Sequence, residues 1–528
     1  MSSLELSTKG VPIPPWVWVL AAILWPVCLL LYATLVPSPD HSFYQYTGWM
    51  ITQGATPYVT FVDGSWPFCH WLLALSTLTF GTELWSWRVF DFVVVVIPCT
   101  VVGADLLRRT WGVSAGVWFL LLYPALYITP DYWSAGQRDV VAANLLIACL
   151  WCYWVGLTNG RLRWQVGTGA WIAVAAMLKP PFAFMGIALA IHAVVGVRMG
   201  RWNVGKAATH IAVAGAASMG CIALAVLVLV AQGVPAETLY DYCLRLATSR
   251  VGVDYGGPWV LLEKGAWTWV HDWHWILFST IVATGLALRR GGLQKLPEFL
   301  LFPTLWVTGV VSYFSQVLGL GYTLGPTFTA AIGIMCIGFG IAVDHALTNR
   351  GWLRWAVLAW VLLALLGTGK KWHRHYGDTF RLYAGVLSEE EFNAKHLLGD
   401  GIDVNEALQV SQELRSMVPP DGTVLVWGRA NVINVLSQRP QPTRFFHNVM
   451  LFTPGRPNDI AQRFDEWFRE DLEANRPEYC LVNREEFATY PLPLAPSVTF
   501  LESFLAKNYD EVRPIGHSVL YRRRDLAN

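Results

Sequence analysis

The sequence predicts a polytopic α-helical membrane protein of about eleven transmembrane helices carrying a C-terminal α/β domain, and three observations lead there. Hydrophobic side chains make up 54% of the 528 residues and charged ones only 14%, where a soluble domain carries about a quarter charged. The charge is also uneven, because residues 1–369 hold 34 Lys, Arg, Asp and Glu side chains and the much shorter 370–528 holds 41. Finally, apolar runs of roughly 20 residues, enough to cross a ~30 Å hydrocarbon core, recur through the first part. The predicted organisation is a multi-span module over 1–369 and a polar domain over 370–528. A net charge of +1 excludes a nucleic-acid binder driven by excess positive charge, and the composition excludes a disordered chain. Nine cysteines scattered mostly through apolar runs read as small core residues and not as a disulfide scaffold.

Taken in order, the spans fall at 15–36, 86–107, 112–129, 140–157, 165–178, 181–197, 207–231, 273–288, 297–314, 326–343 and 354–369. The first is too long for a signal-peptide core and is read as a retained anchor. Lys179-Pro180-Pro181 separates the fifth from the sixth, since proline cannot sit inside a helix without breaking it. Loops containing Arg108 and Arg109, Arg161 and Arg163, Arg198 to Lys206, Arg289 to Lys295, and Arg350 with Arg354 hold, together with Lys9, 13 of the 19 basic residues before position 370. Short cytoplasmic loops carry that excess, so the amino terminus is expected inside. An odd span count then puts the polar domain outside, with loops 37–85 and 232–272. Eleven of 15 acidic residues of the membrane part fall on that outer side. The absence of any N-x-Ser/Thr sequon points to a bacterial plasma (inner) membrane.

In the first outer loop, residues 41–53 place Phe43, Tyr46, Met50 and Ile51 on one helical face, with Gly54 as a stop. Too short to span, this stretch is expected to be an interfacial helix, as is 66–80. Within the polar domain, VLVWG at 424–428 and YCLV at 479–482 read as strands, and 404–417 and 459–474 as helices.

Few charged groups are candidates for chemistry. Asp40 follows the first span in PSPDHSFYQY, where it is equally a favoured helix N-cap and a carboxylate at the water-lipid boundary suited to general-base work. His41 and Tyr44 flank it. The second outer loop, TPDYWSAGQRDVVAANLL, gathers Asp131, Arg138 and Asp139 against nearly charge-free helices, with capping by Asp139 and a local Arg-Asp pair as the structural alternative. Lys179 lies at the outer break, as a snorkelling anchor or an anion ligand. Arg88 and Asp91, in WSWRVFDF, read as a structural ion pair. Gln316 and Tyr322, in YFSQVLGLGYTLGP, suit the lining of a cavity. Asp40, His41 and Asp139 would be suitable ligands for a divalent metal, although spacing does not establish one, and no cofactor is required.

Taken together, a carboxylate after the first span, the pattern D-x-x-x-Y followed by G-x-x-P-Y (Asp40 to Tyr44, then Gly54 to Tyr58), a Q-R-D motif opening the fourth span, a Lys-Pro break and an outer Gln-Gly-Tyr-Pro segment resemble the GT-C glycosyltransferases. The relevant group contains the dolichyl-phosphate-mannose protein mannosyltransferases and the lipid A aminoarabinose transferase. The resemblance covers about residues 15–345, and VLVWGRANVINVLSQRPQPTRF resembles the outer tails of bacterial members. It implies a sugar transferred from a polyprenyl-phosphate donor to a glycan, lipid or protein acceptor, with inversion. Asp40 would be the base, Asp139 or the rival Asp131 the second catalytic carboxylate, Arg138 and Lys179 the phosphate ligands, and His41, Tyr44, Gln316 and Tyr322 substrate contacts. QRD in place of an acidic-Pro pair, and a Gln316 segment without a Tyr-His pair, depart from the usual pattern. The competing expectations are a transporter or flippase for lipid-linked intermediates, a glycan ligase, and a non-catalytic assembly partner on the same scaffold.

Overall fold

A computed structural model describes residues 12–130, 132–246, 351–452, 456–484 and 496–526. Eight of the eleven expected spans have helical counterparts there: α1 (Pro15–Ala33), α4 (Ser86–Thr110), α5 (Val113–Tyr127), α6 (Arg138–Asn159), α7 (Arg163–Leu178), α8 (Met185–Arg198), α9 (Val204–Ala231) and the first half of α11 (Trp352–Tyr383). The spans expected at 273–288, 297–314 and 326–343 lie outside the described residues. Between α1 and α4 the first loop forms α2 (Pro39–Thr52) and α3 (Pro67–Phe80), and a short α10 (Ala236–Tyr240) follows α9.

The chain divides into two compact units. One combines residues up to Tyr32, Asp91–Ala225 and the part of α11 up to Tyr376. The other combines Ala33–Phe90, the segment from Val226 through α10, and the chain from Gly377 onward.

In the first unit, several polar groups find partners within the protein, as an apolar environment favours. Asp91 opens a π-helical stretch (Asp91–Val96) within α4, and its Oδ2 accepts from the hydroxyls of Tyr32 and Tyr127, both at 2.7 Å. Trp372 and Tyr376 of α11 donate to the carbonyls of Ala125 and Ile128 at 3.1 and 2.7 Å, which satisfies carbonyls at the end of α5. At the Lys-Pro-Pro break α7 stops at Leu178. Lys179 is extended (φ −153°, ψ 112°), as a residue before proline must be, and a 3-10 turn over Pro180–Phe184 leads into α8.

The second unit is built on the C-terminal chain. Its elements are α12 (Glu389–Asn393), β1 (Leu397–Gly399), β2 (Ile402–Asp403), α13 (Val404–Met417), β3 (Val424–Trp427), α14 (Val432–Ser437), α15 (Val449–Phe452), α16 (Asn458–Asn475), β4 (Tyr479–Asn483), α17 (Pro496–Asn508), β5 (Tyr509–Ile515) and β6 (Ser518–Arg523). The main sheet has the order β3-β4-β6-β5, with β3 and β4 parallel and the other pairs antiparallel. Alternate residues of β3 face opposite sides. Val424 and Val426 join Val404, Ala407, Val410 and Leu414 of α13, whereas Leu425 and Trp427 join Ile460, Phe464, Phe468 and Leu472 of α16. A strand covered on both faces explains the unbroken apolar VLVW.

The first loop belongs to this unit. Of the α2 face expected to be apolar, Phe43 and Tyr46 pack with Trp49, Phe61, Val435 and Phe446, and Met50 and Ile51 lie against the same group. Tyr46 stacks on Phe446 and Phe43 on His447, with ring centroids 5.5 and 4.6 Å apart. The Tyr46 hydroxyl accepts the Gln441 backbone N–H at 3.0 Å. Each aromatic pair adds about 0.5–1.5 kcal/mol beyond its buried area, so this contact is a substantial part of what holds the loop. Segment 236–246 is tied on by charge. Asp241, 2% exposed, accepts from Arg245 at 2.8 Å and Arg463 at 2.6 Å, and Arg245 also holds Asp459.

Candidate functional site

The charged residues of the second outer loop sit at the start of α6. Gln137 is the residue before the helix and provides no side-chain cap, Arg138 is the first helical residue, and Asp139 the second. Asp139 is therefore not the N-cap that its sequence position allowed. Its carboxylate is taken instead by Lys179, 40 residues later, whose Nζ lies 2.6 Å from Oδ1 and 2.8 Å from Oδ2. Both side chains are buried, with Asp139 4% and Lys179 7% exposed. The Lys-Pro-Pro break makes this pairing available: the extended backbone before Pro180 ends α7 at the lysine. A lysine so held is not a snorkelling anchor, since its ammonium lies inside the protein. Arg138, next to Asp139 in sequence, is half-buried.

Asp40 occupies the second position of α2 and is half-buried. The cap is Ser38, two residues earlier, because Pro39 takes the first helical position that suits proline. Ser38 Oγ accepts the His41 backbone N–H at 3.4 Å, while His41 Nδ1 lies 3.3 Å from the Ser38 backbone N–H and 2.7 Å from its hydroxyl. This is a reciprocal capping box with histidine in the place usually taken by Glu or Gln. Buried His41 thus has one ring nitrogen committed to the helix start, and Asp40 is relieved of capping. Tyr44 is half-buried one turn on.

Behind α2 lies a polar group that the sequence reading passed over. His70 of α3, fully buried, has Nδ1 3.0 Å from Thr47 Oγ1 and Nε2 3.3 Å from Asp63 Oδ2. Asp63 and Thr47 are buried as well. The available signal was a single ionisable residue in the apolar run PFCHWLLAL, a costly placement without partners.

Arg88, expected to pair with Asp91, has backbone partners. Arg88, 1% exposed, donates to the carbonyls of Leu35 and Val36, the latter at 3.1 Å. Asp131, Gln316 and Tyr322 lie outside the described residues. Among the described residues, no three His, Cys, Asp or Glu side chains converge as a metal site would require. In the C-terminal chain, Asp400 turns inward at the end of β1. It accepts from the backbone N–H groups of Arg429 and Ala430 at 2.7 and 3.1 Å and from Asn483 at 2.8 Å. Burial nonetheless pushes its carboxyl above the ordinary range, against the lowering effect of those bonds.

Residues 64–229 match the model of the dolichyl-phosphate-mannose-protein mannosyltransferase family. Among solved structures, ArnT from Cupriavidus metallidurans bound to undecaprenyl phosphate aligns over 96% of this chain and 97% of its own, at 13% identity and a TM-score of 0.59. Its apo form aligns over the same shares at 13% identity with a TM-score of 0.56. The oligosaccharyltransferase AglB from Archaeoglobus fulgidus, in complex with an inhibitory peptide and a dolichol-phosphate, covers 97% of this chain and 75% of its own at 12% identity, with a TM-score of 0.48. No curated protein sequence matches the chain. The chain has the polytopic GT-C fold that its sequence resembles.

Proposed function

We propose that the chain is a membrane glycosyltransferase that moves a sugar from a polyprenyl-phosphate donor to an acceptor outside the cytoplasm, with inversion at the anomeric carbon. The observation that carries this reading is the buried Lys179–Asp139 pair, which lies within the stretch matched to the mannosyltransferase family. A cation fixed at a helix break, beside the first turn of another helix, is suited to the negative charge that a phosphate leaving group develops. The fold likeness to a protein crystallised with undecaprenyl phosphate supports a polyprenyl carrier.

Phosphate is a weakly basic leaving group and departs without a general acid, so the proton to be managed is that of the acceptor hydroxyl. Asp40 takes it as the hydroxyl oxygen attacks the anomeric carbon from the face opposite the phosphate. Ser38 and His41, and not Asp40, cap that helix. Lys179 and Arg138 serve the phosphate, and Asp139 acts through Lys179 by fixing its ammonium. His41 and Tyr44 flank the base.

The positive-inside pattern supports a plasma-membrane protein with its amino terminus in the cytoplasm and residues 370–528 as an extracytoplasmic domain. In proteoliposomes supplied with polyprenyl-phosphate sugars, the intact chain should release polyprenyl phosphate and glycosylate its acceptor. Lipid-linked glycans from cells lacking the chain should show the donor accumulating. An unchanged profile would count against transfer from such a carrier.

A further inference from the structure

We propose that Lys370, His373 and Arg374 of α11 form a headgroup site for an anionic phospholipid, with the two cations and a ring N–H holding the lipid phosphate at the surface of the bilayer. The site lies apart from the groups assigned to sugar transfer and does not depend on that reading. Burial divides α11 into two sides. Val357, Val361 and Tyr376 are buried, and Trp372 and Tyr376 reach the carbonyls at the end of α5. With about 3.6 residues per turn, Trp352, Leu362, Leu366, Lys370, His373 and Arg374 fall on the other side, and all six are exposed.

That side begins apolar and ends basic. Leu362 and Leu366 are 57% and 61% exposed, so on a membrane helix they face lipid. Trp352 marks one boundary, because tryptophan concentrates where membrane meets water. Lys370 comes 18 residues later, about 27 Å along the axis, and Arg374 about 33 Å. Those lengths match a ~30 Å hydrocarbon core and bring the basic group level with the headgroups of the opposite leaflet.

Charge then selects the occupant. No acidic residue occurs between Asp344 and Asp378, and Asp378 is taken by Arg381 and Lys395 at 3.0 and 3.1 Å. Among the described residues no carboxylate pairs with Lys370, His373 or Arg374. Basic residues at the end of a span ordinarily mark the cytoplasmic side, whereas the orientation proposed above puts this end outside, so topology does not account for them. A lipid phosphate does. Its headgroup meets the cations while its acyl chains run along Leu362 and Leu366, a combination that free phosphate does not use.

The test uses the full chain in detergent micelles, titrated with phosphatidylglycerol or phosphatidylcholine and read by native mass spectrometry. Other basic loops hold anionic lipid too, so the reading is the difference between the intact chain and its variants. Lys370→Gln, His373→Gln and Arg374→Gln together should weaken retention of one phosphatidylglycerol at least about tenfold and leave phosphatidylcholine unchanged. The charge-preserving pair Lys370→Arg and Arg374→Lys should keep that lipid. Equal thermal midpoints in phosphatidylcholine separate lost binding from lost folding. Unaltered phosphatidylglycerol retention in the neutral variant, or no preference for it in the intact chain, overturns the site. Displacement by inorganic phosphate, and not by sodium chloride of equal ionic strength, overturns the lipid assignment in favour of free phosphate. If the lipid is lost as expected but a carboxyl-terminal fusion reports the cytoplasm, the orientation fails and the site stands in the inner leaflet.

Discussion

The starts of α2 and α6 present the same local grammar and use it differently. Each carries aspartate at the second helical position, Asp40 in one and Asp139 in the other. At α2 a serine and a histidine cap the helix reciprocally, so the carboxylate has no capping duty. At α6 no side chain caps the helix, and the carboxylate is committed to a lysine 40 residues away. A carboxylate in a helix's first turn gains from the helix dipole in both places, by about 0.3–1 kcal/mol, so that gain does not distinguish them. The cap and the ion pair do: Asp139 is held by a buried cation, whereas the cap at α2 is made by Ser38 and His41.

The largest test of this contrast is Asp40→Asn, which should lower kcat for sugar transfer by about 10²- to 10⁴-fold and leave thermal unfolding of the purified protein nearly unmoved. Wild-type turnover would put the base elsewhere. Next comes Lys179→Met, which strands a buried carboxylate and should cost about 3–5 kcal/mol of stability, read as a drop in thermal midpoint in detergent. Adding Asp139→Leu should recover most of that stability without restoring donor use. Recovery of both would make the pair purely structural. A smaller effect is expected from His41→Ala, about 1 kcal/mol through the lost half of the cap, with the helix start fraying in hydrogen exchange.

The smallest effect concerns Asp400, a half-buried carboxylate of the C-terminal chain and a useful control. Burial raises its carboxyl above the ordinary range, so the folded chain holds that proton more tightly than the unfolded one. Its contribution to stability is thus fully present at pH below the unfolded carboxyl value and is lost as pH rises through the folded value. Asp400→Asn should flatten that slope in pH-dependent melting. A slope that persists would have to come from other groups.

Much of this was legible in the sequence, and the failures have identifiable causes. The break at Lys179 could be read because two prolines admit one local outcome, yet the lysine's partner could not, since nothing local links it to Asp139. Ser38 and Asp40 are both good caps by residue type. Proline at 39, which prefers the first helical position, decides between them and was the overlooked clue. Strands at 424–428 and 479–482 were visible as apolar runs covered on both faces. β5, YDEVRPI, and β6, SVLYRR, were not, because β5 lies at the sheet edge and is largely solvated, with charges breaking the pattern. The π-helical stretch opening at Asp91 leaves no periodicity signal in a run of valines.

The packing of α2 against Phe446 and Gln441 also sets a timetable. Tyr46 and Gln441 are 395 residues apart. At a synthesis rate of about 5–20 residues per second, α2 is complete roughly 20–80 s before its partner surface exists. For that interval its aromatic side needs another host, and the surface of the bilayer is at hand. A helix that must first rest on lipid and later on protein has to be amphipathic for both, which accounts for a segment that reads as interfacial and ends up packed against a folded domain.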